Sequence, residues 1–456
     1  MTLDLREIAT LVGATGEFPS LPVTGIAVDS RSVRPGDIFC AIVGARVDGH
    51  DYLDDAANRG AMAALVTREV PSPLPVLRVP SVPDALDSIA HHIRNDFAGT
   101  VVAVTGSVGK TTVKELIAAA LAPEGPVLKS LGNQNTEYGL PMTWMRLEPE
   151  HAFAILEMAM RGFGQIDALC KFSRPRIGVI TSIGSAHAGE VGGSQGIAKA
   201  KGELIANLPP EGRGIVPSGP HEDYLRSIAK CPVITFGSSA ESHVRVIASD
   251  TAFDENCVRF RIELDGQSVE GKCPGLGTHQ ALNAAAAIAA AGAVGVDPQK
   301  AADSLENAVL PTDRLRFEPM GRGGVLVDVY NSSPESCAAA LRVLAEAPSG
   351  HRVAILADML ELGEESERLH REVGALPEFD LIDSLFVLGE DTAWLAEEAA
   401  RRNPHLAVER LESLDSAASI LSGLREGDVA LIKGSRKFEL ERAVTQARSR
   451  AVKTNA

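Results

Sequence analysis

Apolar residues along this chain follow two periods, and the alternation between them is the first guide to its fold. Short apolar runs at Val101–Thr105, Phe153–Glu157 and Ile177–Ile183 have the length of strands buried on both faces. Between such runs the pattern turns helical. After Thr111, the residues Val113, Leu116, Ile117, Ala120 and Leu121 fall on one face. Strands separated by helices predict mainly parallel sheets in an α/β protein. Residues 1–80 predict a small α/β unit. It has a helix at Leu3–Val12, strands at Gly25–Asp29 and Asp37–Ile42, a helix near Tyr52–Arg59 and a strand at Ala63–Thr67. Pro71, Pro73 and Pro75 then punctuate a boundary. Residues 81–311 predict a second sheet, closed by a turn and an apolar helix over Gly271–Ala291. Residues 312–456 predict a third unit, an open Rossmann-like sheet. Its strands are Val325–Tyr330, Val353–Leu356, Leu385–Leu388 and Val429–Ile432, with helices at Glu335–Ala345 and Thr392–Arg402. The polar tail Arg448–Ala456 is expected to fray.

Composition narrows the function classes. A chain of 456 residues, at roughly 100–200 per domain, accommodates three such units. The formal net charge of −16 argues against a nucleic-acid partner, which would call for a basic face. The six cysteines form no CxxC pair and suit a reducing, cytoplasmic setting better than a disulfide framework. The acidic, amphipathic start MTLDLREIATLVGA lacks the basic and apolar segments of a signal peptide. No apolar run is long enough for a membrane span. The Ala284–Ala291 stretch is short and reads as a core helix.

The strongest chemical signal is Val101-Val-Ala-Val-Thr-Gly-Ser-Val-Gly-Lys-Thr-Thr112. A strand feeds a glycine turn that opens a helix, so backbone N–H groups converge on an anion site. Gly106, Ser107 and Gly109 would let phosphate approach the backbone. Lys110 would reach the β- and γ-phosphates of ATP, and Thr111, with Thr112 beside it, would meet Mg²⁺. Only two residues separate the glycines, where the general P-loop has four. Glu157 ends a buried-type strand, where α/β proteins place their sites, and could ligate Mg²⁺. The alternative is a solvated strand end. His187 follows the next such strand in Ile183-Gly-Ser-Ala-His187 and is either ligand or structural. Lys201, in Ile197-Ala-Lys-Ala-Lys-Gly-Glu-Leu204, reads from the residues alone as a solvated helix face. Asn283 would face inward on an apolar helix, where an adenine edge or a cap would satisfy its amide. In the third unit Asp328, Asp358 and Lys433-Gly-Ser-Arg436 gather at strand ends.

Together these motifs identify a resemblance to the Mur ligases, which build the peptidoglycan stem peptide, and it runs nearly end to end. Asp29-Ser-Arg-Ser-Val-Arg-Pro-Gly-Asp-Ile-Phe39 and Asp48-Gly-His-Asp51 resemble the family's N-terminal UDP-sugar domain, with Ser30 and Arg31 as substrate contacts. Thr105–Thr112 matches its shortened P-loop, and Glu157-Met-Ala-Met-Arg-Gly162 its metal-binding segment. His187 matches the segment of a second metal-binding residue. Lys201 aligns with a lysine often carbamylated by CO₂, and Asn283, Arg314 and Asp328 with nucleotide-contacting positions. Asp358-Met-Leu-Glu-Leu-Gly363 with His370 is particular to the branch that adds D-alanyl-D-alanine. Departures stand at Asn135-Thr136 for the usual Asn-Asn, Val327-Asp328 for Asp-Asp and Asp313-Arg314 for Gly-Arg.

The resemblance implies a P-loop ATPase-like central unit that binds ATP and Mg²⁺. It implies small-molecule substrates, UDP-muramoyl-tripeptide and D-alanyl-D-alanine, joined through an acyl phosphate. Lys110, Lys201 and His187 would serve catalysis, with Asn135, Asn331, Asp358 and Leu360 among the substrate contacts. It further implies a monomer whose third unit rotates onto the second. Two other readings compete: another Mur-type or folylpolyglutamate-synthase-like ligase, and a non-catalytic nucleotide-binding regulator.

Overall fold

A computed structural model of the protein describes residues 1–44, 47–184 and 191–454. It is an α/β chain in which three main sheets follow one another along the sequence. The first has four parallel strands in chain order, Gly25–Ala27, Asp37–Cys40, Ala63–Val66 and Val76–Arg78. A two-stranded antiparallel ribbon, Leu3–Asp4 with Pro22–Val23, stands beside it. The helix Val82–Asn95 follows, capped by the Ser81 side chain on the Asp84 N–H. Its buried residues Val82, Leu86, Ile89 and Ile93 recur at helical spacing and share one core with Leu77 on one side and Trp144 and Ile166 on the other.

The second sheet has nine strands. From one edge the order is Val127–Lys129, Phe153–Glu157, Thr100–Thr105, Ile177–Ile180, Arg213–Pro217, Val233–Gly237 and Val244–Ala252, all parallel. Cys257–Leu264 and Gln267–Pro274 then extend it antiparallel. The expected turn at Gly271 is therefore the interior of a strand, and the apolar helix starts later, at His279–Gly292. In Cys257–Leu264 the buried positions Val258, Phe260 and Ile262 alternate with exposed Arg259, Arg261 and Glu263. That period of two marks a sheet with one wet face. Helix His279–Gly292 is alanine-rich and buried almost all round, so it packs closely on helix Lys110–Leu121.

The third sheet runs Arg316–Met320, Gly323–Asp328, Asp428–Lys433, His351–Ala357, Ser384–Leu388 and Ala407–Arg410. Only its first pair is antiparallel. Helix Leu440–Thr454 takes in most of the tail expected to fray, and Arg448 and Arg450 pair with Glu318 and Asp415 at 2.6 and 3.0 Å. Contacts between the second and third sheets are direct. Asn256 Nδ2 donates to the Phe317 carbonyl at 3.0 Å, and its Oδ1 accepts from the Phe317 N–H at 2.8 Å. The Phe253 and Phe317 rings meet edge-on beside them, with centroids 6.4 Å apart. Among the described residues no helix is long and apolar enough to cross a membrane.

Trp144 anchors the junction of the first two sheets. It is fully buried, its ring meets Phe97 edge-on at 5.6 Å, and the Arg94 guanidinium lies over both rings at 5.6 and 5.8 Å. Trp144→Ala should lower stability by about 3–5 kcal/mol, the usual cost of emptying an aromatic core position. Urea denaturation followed by circular dichroism measures this; a loss under about 1 kcal/mol would mean that the site collapses without leaving a cavity.

Candidate active site

Register builds the site. Val104 pairs with Glu157 across one flank of strand Thr100–Thr105, and Thr105 pairs with Ile180 across the other. Three parallel strands thus end level, and the segments leaving them are delivered to one carboxyl edge, the usual ligand edge of such sheets. The middle strand leads into the glycine turn. Gly106 has φ +151°, and a Cβ there would lie 1.9 Å from Thr181 Oγ1. Gly109 has φ +87°, and a Cβ there would lie 2.8 Å from Asn283 Oδ1. Both positions demand glycine. Thr181 and Ser182 brace the turn: Ser107 N–H donates to the Ser182 carbonyl at 3.0 Å and Val108 N–H to Ser182 Oγ at 2.9 Å.

Helix Lys110–Leu121 begins inside the turn, so its N-terminal N–H groups face the same space. Lys110 Nζ donates to the Gly106 carbonyl at 2.8 Å. Packing around Lys110 lowers its pKa and nearby Arg314 adds to that, while Glu157 opposes it. Glu157 is buried. Its Oε2 accepts from Thr111 Oγ1 and its Oε1 from Asn135 Nδ2, both at 2.9 Å. The solvated alternative for Glu157 is thereby removed. Thr112 is buried beside Thr111 in the first turn.

A hydroxyl and a carboxylate so close offer only hard oxygen donors, which suits Mg²⁺. Among the described residues no group of three or more His, Cys, Asp or Glu could cage a metal. Mg²⁺ ordinarily takes its remaining ligands from phosphate and water, so the pair fits this ion and Thr111 and Glu157 would hold it.

Lys201 is not on a solvated face. It is buried on helix Gly193–Ala206 at 2% exposure, and burial, followed by the field of Lys110, drives its pKa well below the lysine value. Asn283 is half-buried, with its Nδ2 donating to Gln280 Oε1 at 2.9 Å and its Oδ1 turned to the glycine turn. His187 lies outside the described residues.

The third sheet brings a second group to this space. Asp328 and Lys433 are register partners at adjacent strand ends. Lys433, almost fully buried, bonds Asp328 Oδ2 at 2.7 Å and the Asn331 carbonyl at 2.8 Å. His279 faces them, and burial pushes its imidazole down to about 4 against the pull of Asp328. Arg314 stacks on Tyr330 with 4.1 Å from Cζ to the ring centroid, and Arg436 lies over the same ring at 5.6 Å. Of the cations in Lys433-Gly-Ser-Arg436, only Arg436 keeps its charge outward. Ser435 Oγ donates to the Asp358 carbonyl at 2.7 Å and accepts the Leu360 N–H at 2.9 Å.

Asp358 is likewise engaged: its carboxylate accepts the N–H groups of Glu390 and Thr392 at 3.0 and 2.8 Å, fixing the start of helix Thr392–Arg402. Its side chain therefore shapes the loop carrying Leu360, which is half-buried, while Asn331 is exposed. His370 Nε2 accepts the Met359 N–H at 3.1 Å and locks that loop from the other side. In the turn after strand Gly25–Ala27, Ser30 is buried beside the Asp55 carboxylate and lowers its pKa, whereas Arg31 is exposed and pairs with Asp29 at 2.6 Å.

Family models match the chain along most of its length: "Mur ligase family, catalytic domain" at residues 22–94, "Mur ligase middle domain" at 104–291 and "Mur ligase, glutamate ligase domain" at 315–436. The UDP-N-acetylmuramoyl-tripeptide--D-alanyl-D-alanine ligase of Bacillus subtilis (strain 168) is 34% identical over 453 residues, covering 96% of this chain and 97% of its own. The chain belongs to the Mur ligase family. A crystal structure of MurF from Acinetobacter baumannii aligns with this Mur ligase at a TM-score of 0.87 and 28% identity, covering 98% of this chain and 99% of its own. The MurF ligase from Thermotoga maritima in complex with ADP aligns at 0.80 and 28%, covering 94% and 98%.

Sequence reasoning passed over Thr181, Ser182, Tyr330 and Lys114 of this Mur ligase. Lys114 stands directly before Glu115 on its helix, a charged pair that reads in sequence as a solvated face.

Lys110→Ala should cut turnover by about a hundred- to a thousandfold, the effect of losing a group aimed at developing charge. Its half-buried position at the start of the helix means that no core cavity opens. Phosphate release and a thermal melt test both halves. An active variant would remove the phosphate-binding assignment.

Proposed function

We propose that this Mur ligase joins D-alanyl-D-alanine to UDP-N-acetylmuramoyl-tripeptide, consuming ATP and releasing ADP and phosphate. The observation that carries the reading is end-to-end likeness to the ligase of that name at 34% identity, with Lys110, Thr111 and Glu157 together at one sheet edge. ATP lies with its phosphates in the turn Gly106–Thr111 and its nucleoside toward Asn283, Arg314 and Asp328. Mg²⁺, when bound, offsets phosphate charge beside Thr111 and Glu157. The tripeptide carboxylate is a poor electrophile until it takes the γ-phosphoryl group. The acyl phosphate so formed carries a good leaving group. Lys110 steadies the charge that develops on the transferred phosphoryl oxygens. The dipeptide amine attacks the acyl carbon and phosphate leaves. Water must stay out meanwhile, because it would hydrolyse the acyl phosphate.

In this reading residues 1–80 hold the UDP end, with Ser30 and Arg31, and residues 81–311 hold ATP, with Asn135 near the reacting carboxylate. Residues 312–456 bring the dipeptide, with Asn331, Asp358 and Leu360 shaping its place. Substrates and ATP of this kind put the enzyme in the cytoplasm. The dipeptide offers an amide and a second methyl that a single amino acid lacks. Leaving amide partners unpaired discriminates more strongly than the lost apolar area. D-alanyl-D-alanine should therefore give a higher kcat/KM than D-alanine, L-alanine, glutamate or lysine in a phosphate-release assay with UDP-muramoyl-tripeptide. A free amino acid that outperforms it would place the enzyme in another branch.

Lys201 is carbamylated in the same reading. Burial drives the pKa of this amine well below the lysine value, which eases its deprotonation and addition to CO₂; loss of the carbamic proton then leaves an anion beside the cation Lys110. Lys201→Ala should lose most activity, and formate or acetate should restore part of it. Full activity of the unrescued variant would show that no carbamate is needed.

A further inference from the structure

Lys114 is a fully buried cation that the ligation chemistry leaves without a task. It stands one turn after Thr111 on the same helix. Its Nζ donates to the Ser130 carbonyl at 2.7 Å, pairs with Glu115 Oε1 at 3.1 Å and lies 3.9 Å from Glu157 Oε2. Ser130 is itself tied to the strand that ends in Glu157: its Oγ accepts the Glu157 N–H at 3.2 Å and its N–H donates to the Ile155 carbonyl at 3.1 Å. From Ser130 the chain runs to Asn135, whose side chain holds the other Glu157 oxygen and whose carbonyl accepts the Ala159 N–H at 2.8 Å. One ammonium thus fastens a helix, a strand end and the segment between Ser130 and Asn135.

The charges alternate from the surface inward. Lys129, one-third exposed, pairs with Glu115; Glu115 pairs with Lys114; Lys114 faces Glu157. If the space needed only filling, an apolar side chain would fill it without the desolvation cost of a buried cation. The 3.9 Å separation from Oε2 is too long for a hydrogen bond. At that distance the cation restrains the carboxylate by its field without occupying a lone pair, and those lone pairs are what a metal ion uses.

We infer that Lys114 is a positioning residue for the metal-holding carboxylate, keeping Glu157 and the segment Ser130–Asn135 in the arrangement that accepts a divalent cation. The inference rests on the reading that Thr111 and Glu157 hold Mg²⁺ with the nucleotide.

The test measures Mn²⁺ binding to the full-length protein with ADP by electron paramagnetic resonance, beside ADP binding without metal and the Mg²⁺ half-saturation of the ligase reaction. The variants are Lys114→Met, Lys114→Arg and the charge-balanced Lys114→Met/Glu115→Gln. Lys114→Met should weaken Mn²⁺ binding by about tenfold to a hundredfold, the range seen when a partner of a metal ligand is lost. Metal-free ADP binding should stay within about twofold, since the phosphate turn is untouched. Mg²⁺ half-saturation should rise with a smaller change in kcat. Lys114→Arg should restore most of the metal affinity, and the double variant should stay as weak as Lys114→Met. Wild-type Mn²⁺ affinity in a folded Lys114→Met protein overturns the inference. So does wild-type affinity in the double variant, because the defect would then be charge imbalance. Should Lys114→Met not fold, the double variant decides, and if neither folds the residue is structural and the inference falls. Wild-type protein that binds no Mn²⁺ with ADP would instead defeat the metal reading underneath.

Discussion

A carboxylate buried at a sheet edge has to be met by donors, and much of the central site can be understood from how Glu157 is met. Its two oxygens are shared between Thr111 and Asn135, and Lys114 stands behind one of them. Thr111 belongs to the helix that opens from the glycine turn, so the same interaction sets the turn's height above the sheet. Asn135 belongs to the segment that leaves strand Val127–Lys129, so it also sets how that segment crosses the edge. An unpaired carboxylate at this depth would carry a desolvation penalty of several kcal/mol. The donors therefore matter to folding as well as to chemistry.

The third sheet solves a similar problem differently. Asp328 and Lys433 are brought together by register alone, as neighbours on adjacent parallel strands. Their pairing sits against His279, at the start of the alanine-rich helix of the second sheet. Titratable groups from the second and third sheets thus share one largely buried volume. Arg314 and Arg436, stacked on Tyr330, bring further cations to the same region.

Legibility in the sequence followed the strength of local patterns. Phe153–Glu157 and Thr392–Arg402 have the limits that the sequence predicts, the first a short apolar run closed by a carboxylate and the second a helical stretch stopped before Asn403-Pro404. The glycine turn was legible because φ values above zero leave few residue choices. The antiparallel strands ending at Leu264 and Pro274 were missed: their alternation is carried by exposed charged residues that also suit a loop. Lys201 read as surface because nothing local distinguishes a buried lysine from a solvated one; its burial comes from elements far away in sequence. Asp358 was legible as important but not for its bonds, since the N–H groups it accepts belong to Glu390 and Thr392.

The Asn256 side chain behaves as a short borrowed strand. Its amide offers one donor and one acceptor to the backbone of Phe317, as a β-neighbour would. A rigid swing of the third sheet that preserves both bonds must have its axis pass close to Phe317. Displacement is then smallest at this clasp and grows with distance from it, so a few degrees of rotation move the far loops by ångströms. A closure that keeps this clasp is therefore confined to something near a hinged door.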